Sequence, residues 1–298
     1  MSNFLQYLIV GLRLGSVYAL IALGYTMVYG IIRLINFAHG DFIMVGGYTL
    51  VFCIPLMTKS GLPAWVAVIL AVAACAAVGV AVELVAYRPV RKKGTKMTAL
   101  ITAIAMSLFL ENLAQAIPAI GPNPKVLGQI FNDGGSSIGG VKLGSTTIIT
   151  IAISALVMIV LQLFVKKTKL GRAMRAVSED KEAAIITGIN VNRTIVITFG
   201  IGAGLAGIAA LMFFAQYPTV MTTSGSMLGL KAFIAAVLGG IGIIPGAMLG
   251  GFVIGLVESF VTGYISSSLA DAFVFLVLII VLIIKPSGIL GKNEGEKV

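Results

Sequence analysis

Apolar runs of about twenty residues follow one another along nearly the whole chain, separated by short polar loops. A stretch of that length matches the roughly 30 Å hydrocarbon core of a bilayer when coiled as a helix. Lipid offers no hydrogen-bond partners, so a spanning backbone must form helices or a closed barrel. Barrel strands alternate apolar and polar residues, and these runs do not alternate. With 58% apolar and only 11% charged residues among 298, the expectation is an all-α, polytopic transmembrane helical bundle folded as a single domain, 1–298.

Nine membrane segments are expected: Phe4–Ile31, Phe42–Met57, Ala64–Tyr87, Thr98–Ile120, Thr146–Val165, Thr194–Ala215, Leu228–Leu238, Ala247–Ile265 and Ala272–Ile284. Phe42–Met57 and Leu228–Leu238 are short for a crossing. Each adjoins glycine-rich sequence, so broken or re-entrant helices are expected near 36–47 and 239–246. Met44-Val-Gly-Gly-Tyr48 and Met248-Leu-Gly-Gly-Phe252 echo each other and suggest an internal repeat.

The net charge of +10 does not indicate nucleic acid, because the cations sit in loops beside spans. Arg88, Arg91, Lys92, Lys93 and Lys96 mark one basic loop; Lys166, Lys167, Lys169, Arg172 and Arg175 mark another. Both are assigned to the cytoplasm, and the loop 121–145, with only Lys125 and Lys142, to the outside. Parity then puts the C-terminus in the cytoplasm, together with Lys285, Lys292 and Lys297, and leaves the N-terminal side open. Met1-Ser-Asn-Phe4 lacks the basic region of a secretion signal, and lipidation motifs are not seen. Cys53 and Cys75 have neither metal-ligand spacing nor a disulfide context. The Asn192-Arg-Thr194 sequon is expected on the cytoplasmic side, without glycan.

Three clusters carry chemistry. Ile35-Asn-Phe-Ala-His-Gly-Asp-Phe42 brings the single histidine, His39, beside Asn36, Gly40 and Asp41 at a helix break. Intramembrane ionisable groups cost about 2.5–3.5 kcal/mol on insertion scales, so they need a partner or a wet cavity. A pathway-lining kink fits, and too few ligands are present for zinc. Leu238-Gly-Gly-Ile-Gly-Ile-Ile-Pro-Gly-Ala247 supplies Gly239, Gly240, Gly242, Pro245 and Gly246 as the second set of pathway candidates. It lacks the Gly-Lys-Ser/Thr ending of a phosphate loop, as does the rest of the chain, so no ATP site is expected here. Gly242, Gly246 and Gly250 share a helix face, which permits close helix packing.

The third cluster is the cytoplasmic segment 166–194. Ser178 is a suitable N-cap; Glu179, Asp180 and Glu182 suit a first turn; Gly188 is a natural stop. A helix from Glu179 to Thr187 is expected, with Ala183, Ala184 and Ile186 open to a partner. So short a helix is marginal alone and needs docking, on protein in preference to lipid. Of the membrane acids, Glu83 and Glu258 lie near span ends, free to pair with Arg88 or meet water. Glu111 reads as a buried hydrogen-bonded carboxyl or as a proton site. The Asn132-Asp-Gly-Gly135 stretch signals an external turn.

In combination, Asn36-Phe-Ala-His-Gly40, Tyr87-Arg-Pro-Val-Arg91, Gly171-Arg-Ala-Met-Arg-Ala176, Val237-Leu-Gly-Gly-Ile-Gly242, Pro245-Gly-Ala247 and Pro286-Ser-Gly-Ile-Leu-Gly291 resemble the permeases of branched-chain amino-acid ABC importers, LivH-type. The resemblance implies a non-enzymatic inner-membrane permease beside a second, LivM-like permease. Two ATP-binding subunits would dock beneath and hold the ATP, and a periplasmic amino-acid-binding protein would deliver substrate. The segment holding Arg172, Arg175, Ser178 to Asp180, Glu182 to Ala184 and Gly188 would be its coupling element, similar to the importer EAA–Gly pattern. Asn190-Val-Asn-Arg193 replaces the pattern's usual Leu-Pro. Transport by alternating access of a neutral amino acid is expected. The rival readings are a proton-coupled secondary transporter using Glu111 or Asp41, an intramembrane enzyme using His39 and Asp41, and a channel.

Overall fold

The computed structural model describes residues 2–128, 130, 131, 134, 136–138 and 141–291. The expected Asn132–Gly135 turn and Lys292 and Lys297 lie outside the described residues. Among the described residues, the helices are α1 (Ser2–Ile32), α2 (Asp41–Lys59), α3 (Trp65–Val82), α4 (Arg88–Lys93), α5 (Lys96–Ala116), α6 (Ser145–Lys167), α7 (Lys169–Glu179), α8 (Lys181–Ile186), α9 (Val191–Phe214), α10 (Ser224–Gly239), α11 (Ile244–Tyr264) and α12 (Ala270–Ile284). A π-helical turn, Glu83–Tyr87, joins α3 to α4, and 3₁₀ turns at Phe37–His39 and Ser267–Leu269 lead into α2 and α12. Eight helical stretches are long and apolar enough to cross a membrane, and α10 is a ninth, shorter apolar helix. The chain is a polytopic helical bundle.

The only strands described are short. β1 (Lys125–Val126) pairs antiparallel with β4 (Thr219–Val220), and β2 (Ser136–Ile138) with β3 (Val141–Leu143). The first pair ties the α5–α6 loop to the α9–α10 connection, so both lie on one face of the bundle. Phe4 stacks near Phe260, with ring centroids 5.3 Å apart, which brings the start of α1 to the end of α11 on that face. On the other face Arg91 hydrogen-bonds Asn192, and Gly240 abuts Gly291. Both basic loops and the segment after α12 therefore share a face, opposite the start of α1.

Packing reveals an internal exchange. α1 lies along α11 and α10, while α9 lies along α3 and α2; α1 also meets α9, and α2 meets α10. Thus α1–α3 correspond to α9–α11, and the two triplets run in opposite directions. This corrects the echo of Met44–Tyr48 with Met248–Phe252, which would equate α2 with α11. The shared Gly-Gly answers a local need in each case. Gly46 lies against Ala210 and Gly207 of α9, and Gly251 against Ala19 of α1.

The α1–α11 contact is backbone on backbone. A β-carbon on Gly15 would meet Phe252 Cα at 2.7 Å, and one on Gly251 would meet Ala19 Cα at 2.6 Å. Gly255 abuts Gly15. Between lipid-embedded helices, such close approach supplies the dispersion contact that water cannot drive. Because the obstructing atoms are main chain, no side chain can rotate away. Gly255→Leu is expected to lower detergent-solubilised stability by ~3 kcal/mol or more, the upper range of overpacking. Thermal unfolding should expose this, whereas Leu249→Ala on the exposed side of α11 should leave the midpoint nearly unchanged.

Candidate functional site

The first break begins where α1 stops at Ile32 and Arg33 adopts a left-handed φ of 54°. The chain turns back into the bundle. Asn36 and His39 are buried, and α2 starts at Asp41. His39 reaches Gly24, eight residues before the end of α1, or about 12 Å up that helix. The second break mirrors it: α10 starts at Ser224, directly beneath β4, and Gly225 and Gly229 press on Gly40. Counting back from the other end of α10 puts this contact about 15–21 Å from that helix's terminus. In a hydrocarbon core about 30 Å thick, both breaks meet near the centre.

The named residues of the first break divide by role. Asn36 Oδ1 accepts from the Tyr87 hydroxyl at 2.9 Å, which fastens the connection to the end of α3. The His39 ring packs 4.5 Å from Tyr25 and edge-on to Phe42, and a β-carbon on Gly24 would strike it. His39 is thus a packed wedge enclosed by α1 and α2. Asp41 is fully buried, and of the described hydroxyl groups only that of Ser107 approaches its carboxylate, without forming a hydrogen bond of good geometry.

Gly239, Gly240, Gly242, Pro245 and Gly246 are not brought to this centre. They form a tight turn between α10 and α11 on the face of the basic loops, so of the expected broken or re-entrant helices near 239–246 the structure has the break, at the end of the short helix α10. Gly240 and Gly242 take φ values of 104° and 93°, which favour glycine. Pro245 occupies the first turn of α11. The segment after α12 clasps the turn: Ile289 N donates to Leu238 O at 2.8 Å and Leu290 N to Gly239 O at 3.1 Å. Gly242 also borders a small cavity with Thr26, Gly30, Met174, Arg175 and Ser178.

The basic-face insert holds two helices where one was expected. α7 is capped by Thr168, whose side chain accepts from Gly171 N at 3.0 Å. It buries Gly171, Met174 and Val177, three residues apart, and exposes Arg172 and Arg175. That buried stripe carries the helix through Ser178, so the expected Ser178 cap is corrected: its hydroxyl donates to Arg175 O. Glu179 ends α7 instead of opening the next helix. Asp180 is the N-cap of α8, accepting from Glu182 N at 2.8 Å and Ala183 N at 3.1 Å. Gly188 ends it at φ 81°, with Gly188 N to Ile185 O and Ile189 N to Ala184 O closing a Schellman turn. Ala184 faces inward at 2% exposure, Ala183 is exposed, and Ile185 and Ile186 stand out at 61% and 86%. The Lys181 amine is held below its usual range by partial burial and by Arg91 and Arg33, so this end is strongly cationic.

The membrane acids have specific partners. Glu83, fully buried in the π turn, pairs with Arg91 at 2.6 Å and Arg88 at 3.6 Å. Glu258 is partly buried and does not pair with Arg88. It accepts from Tyr18 Oη at 2.7 Å and Lys231 Nζ at 2.8 Å, and Lys231 also reaches Asp271 at 2.6 Å. Lys231 escaped the sequence reading although it is the lone charge inside Leu228–Leu238, itself a signal of a partner. Arg13, which flanks the first span in the sequence, donates to Gln216 Oε1 at 2.7 Å. Glu111 accepts from Ser226 of α10.

The described family of branched-chain amino acid transport system permease components matches residues 7–282. The chain is 44% identical to the high-affinity branched-chain amino acid transport system permease protein BraD of Pseudomonas aeruginosa, over 99% of this chain and 98% of that one. It is 42% identical to the LivH permease protein of Escherichia coli K12 with the same coverage. It is 31% identical to the LivM permease protein of Salmonella typhimurium, over 76% of this chain and 57% of that one. No solved structure matches it.

Lys231 holds α10, α11 and the start of α12 together through two acids. Removing one member of a buried ion pair typically costs ~3–5 kcal/mol. Lys231→Met should therefore lower thermal stability by that order, and adding Glu258→Gln should recover part of the loss. Equal midpoints for Lys231→Met and wild type would refute this role.

Proposed function

Because the chain belongs to the family of branched-chain amino acid transport permeases, we propose that it is the LivH-type subunit of an ATP-driven importer. It moves leucine, isoleucine, valine or a related neutral amino acid across a bacterial inner membrane. A second, LivM-like permease completes the membrane unit, two ATP-binding subunits dock on the basic face, and a periplasmic binding protein delivers substrate. The basic face, with the C-terminus, is cytoplasmic, in keeping with the positive-inside bias. This chain itself binds no ATP and works without a cofactor or metal.

The observation that carries this reading is the α7–α8 insert. A six-residue helix has little stability in water by itself, yet α8 is capped at both ends and presents Ile185 and Ile186. Two large apolar side chains held out on a cationic face, outside the hydrocarbon, fit the cleft of a soluble partner. Behind them, α7 rests on α1, α6 and α9. A push on α8 therefore reaches α1 and α9, the helices on either side of the central break. Alternating access follows if the two antiparallel triplets rock against each other at that contact. The proton-coupled reading has less support, since Glu111 is hydrogen-bonded to Ser226 and its acid neighbour Asp41 is fully buried.

Ile186→Glu tests the docking without disturbing the chain's own packing. Loss of a central apolar anchor costs ~2 kcal/mol or more at a protein interface, about thirtyfold in affinity. The variant should reach the membrane at normal levels, fail to retain the ATP-binding subunits on purification, and lose ATP-driven leucine uptake. Full uptake by Ile186→Glu cells would end the coupling assignment.

A further inference from the structure

The membrane centre carries a charge imbalance that the transport reading does not use. α2 and α10 begin there with their N-termini together, and a β-carbon on Gly229 would come 2.6 Å from Gly40 Cα. Each helix N-terminus is equivalent to about half a positive charge, so the two supply about one. Two carboxylates stand against it. Asp41, the first residue of α2, is fully buried with neither oxygen in a hydrogen bond of good geometry. Its polar neighbours on α5 are Ser107 and Glu111. Glu111, half-buried, accepts from Ser226 in the first turn of α10.

Among the described residues no cation pairs with either acid. Lys231 of α10 is committed to Glu258 and Asp271, and His39 is enclosed by Gly24, Tyr25 and Phe42. With both carboxylates ionised, two negative charges against one positive leave room for one monovalent cation; with no cation there, burial favours the protonated acids instead. The Glu111 side of the position is reachable, because Ser226 is exposed and Glu111 is half-exposed on the surface of this chain, whereas Asp41 is fully buried behind the start of α2.

We infer that Asp41 and Glu111, with the hydroxyls of Ser107 and Ser226, form a subsite for a monovalent ammonium group. Resting on the transport reading, the group is the α-ammonium of the amino acid in transit. An ammonium carries three donors and no acceptor, which matches a ring of carboxylate and hydroxyl oxygens. The subsite sits where the two inverted helix triplets touch. A substrate there is held by both, and relative motion of the triplets loosens it towards one side of the membrane.

The test uses the purified complex of this chain with its partner permease and ATP-binding subunits, without the binding protein. 3-Methylbutylamine carries the leucine side chain and ammonium but no carboxylate; 4-methylpentanoate carries the carboxylate but no ammonium. Titration calorimetry should give binding of the amine and none of the acid. E111Q should weaken amine binding at least tenfold, whereas N112A, whose side chain bonds only its own helix, should not. D41N should behave as E111Q, and if D41N fails to assemble, the half-exposed E111Q decides alone. Equal binding of the two probes, or amine binding unchanged in E111Q, overturns the subsite. An acid pair that shares a proton gives no amine binding and overturns it equally. ATP-driven leucine uptake by the wild-type complex in vesicles, with binding protein, is read separately. If uptake is absent while amine binding persists, the transport reading fails and the ammonium subsite stands.

Discussion

Backbone that leaves a helix inside hydrocarbon must be wrapped by protein, because lipid returns no hydrogen bond to an open N–H or C=O. This chain breaks twice near the membrane centre, and much of its packing serves to enclose those breaks. Tyr87 from the end of α3 bonds Asn36. The His39 ring fills the notch left by Gly24. Gly40, Gly225 and Gly229 let two chain turns touch with no side chain between them. The antiparallel correspondence of α1–α3 with α9–α11 makes one enclosure serve both breaks, since each triplet covers the connection of the other.

The charged groups divide along the same geometry. Glu83 with Arg88 and Arg91 closes the basic-face end of α3. Lys231 with Glu258 and Asp271 ties α10 to α11 and the start of α12. In both sets every charged group has an opposite charge beside it, though the first keeps a net charge of +1 and the second of −1, and these contacts stiffen the bundle. The acids at the centre, Asp41 and Glu111, differ in having no cation beside them among the described residues. The α7–α8 insert is the remaining polar element. Its buried stripe of Gly171, Met174 and Val177 fixes it to the bundle, while its apolar tip points away.

Much of the architecture is legible from sequence because span length is set by the bilayer, and a twenty-residue apolar run has few alternatives. The chain's family could be read too, from motifs scattered between Asn36 and Gly291. What could not be read is non-local. Ser178 and Asp180 are both good caps two residues apart. Burial of Met174 and Val177 against α1, α6 and α9 decides for Asp180, and no local rule encodes that contact. The glycines at 239–246 look like a membrane break, yet their partners, Gly30 and the segment 288–291, are distant in the chain. Lys231 was passed over because its acids sit 27 and 40 residues later. The echo of Met44–Tyr48 in Met248–Phe252 misled for a related reason. Any helix that must press its backbone on a neighbour tends to offer a pair of glycines, so the motif reports proximity and not ancestry.

The clasp at the end of α10 has a consequence for how the chain is made. Leu238 and Gly239 direct their carbonyls at the amides of Ile289 and Leu290, which lie 51 residues further on. During synthesis α10 and α11 can enter the membrane and pair well before those amides exist. Until the ribosome has passed Leu290, the α10–α11 turn has its helix end open to water and its positive-φ glycines unsupported. The nascent hairpin is therefore a loosely hinged object, and it becomes a fixed corner only when α12 has crossed and brought the clasp back to the same face. The corner between α10 and α11 thereby acquires its final shape only after α12 is in place.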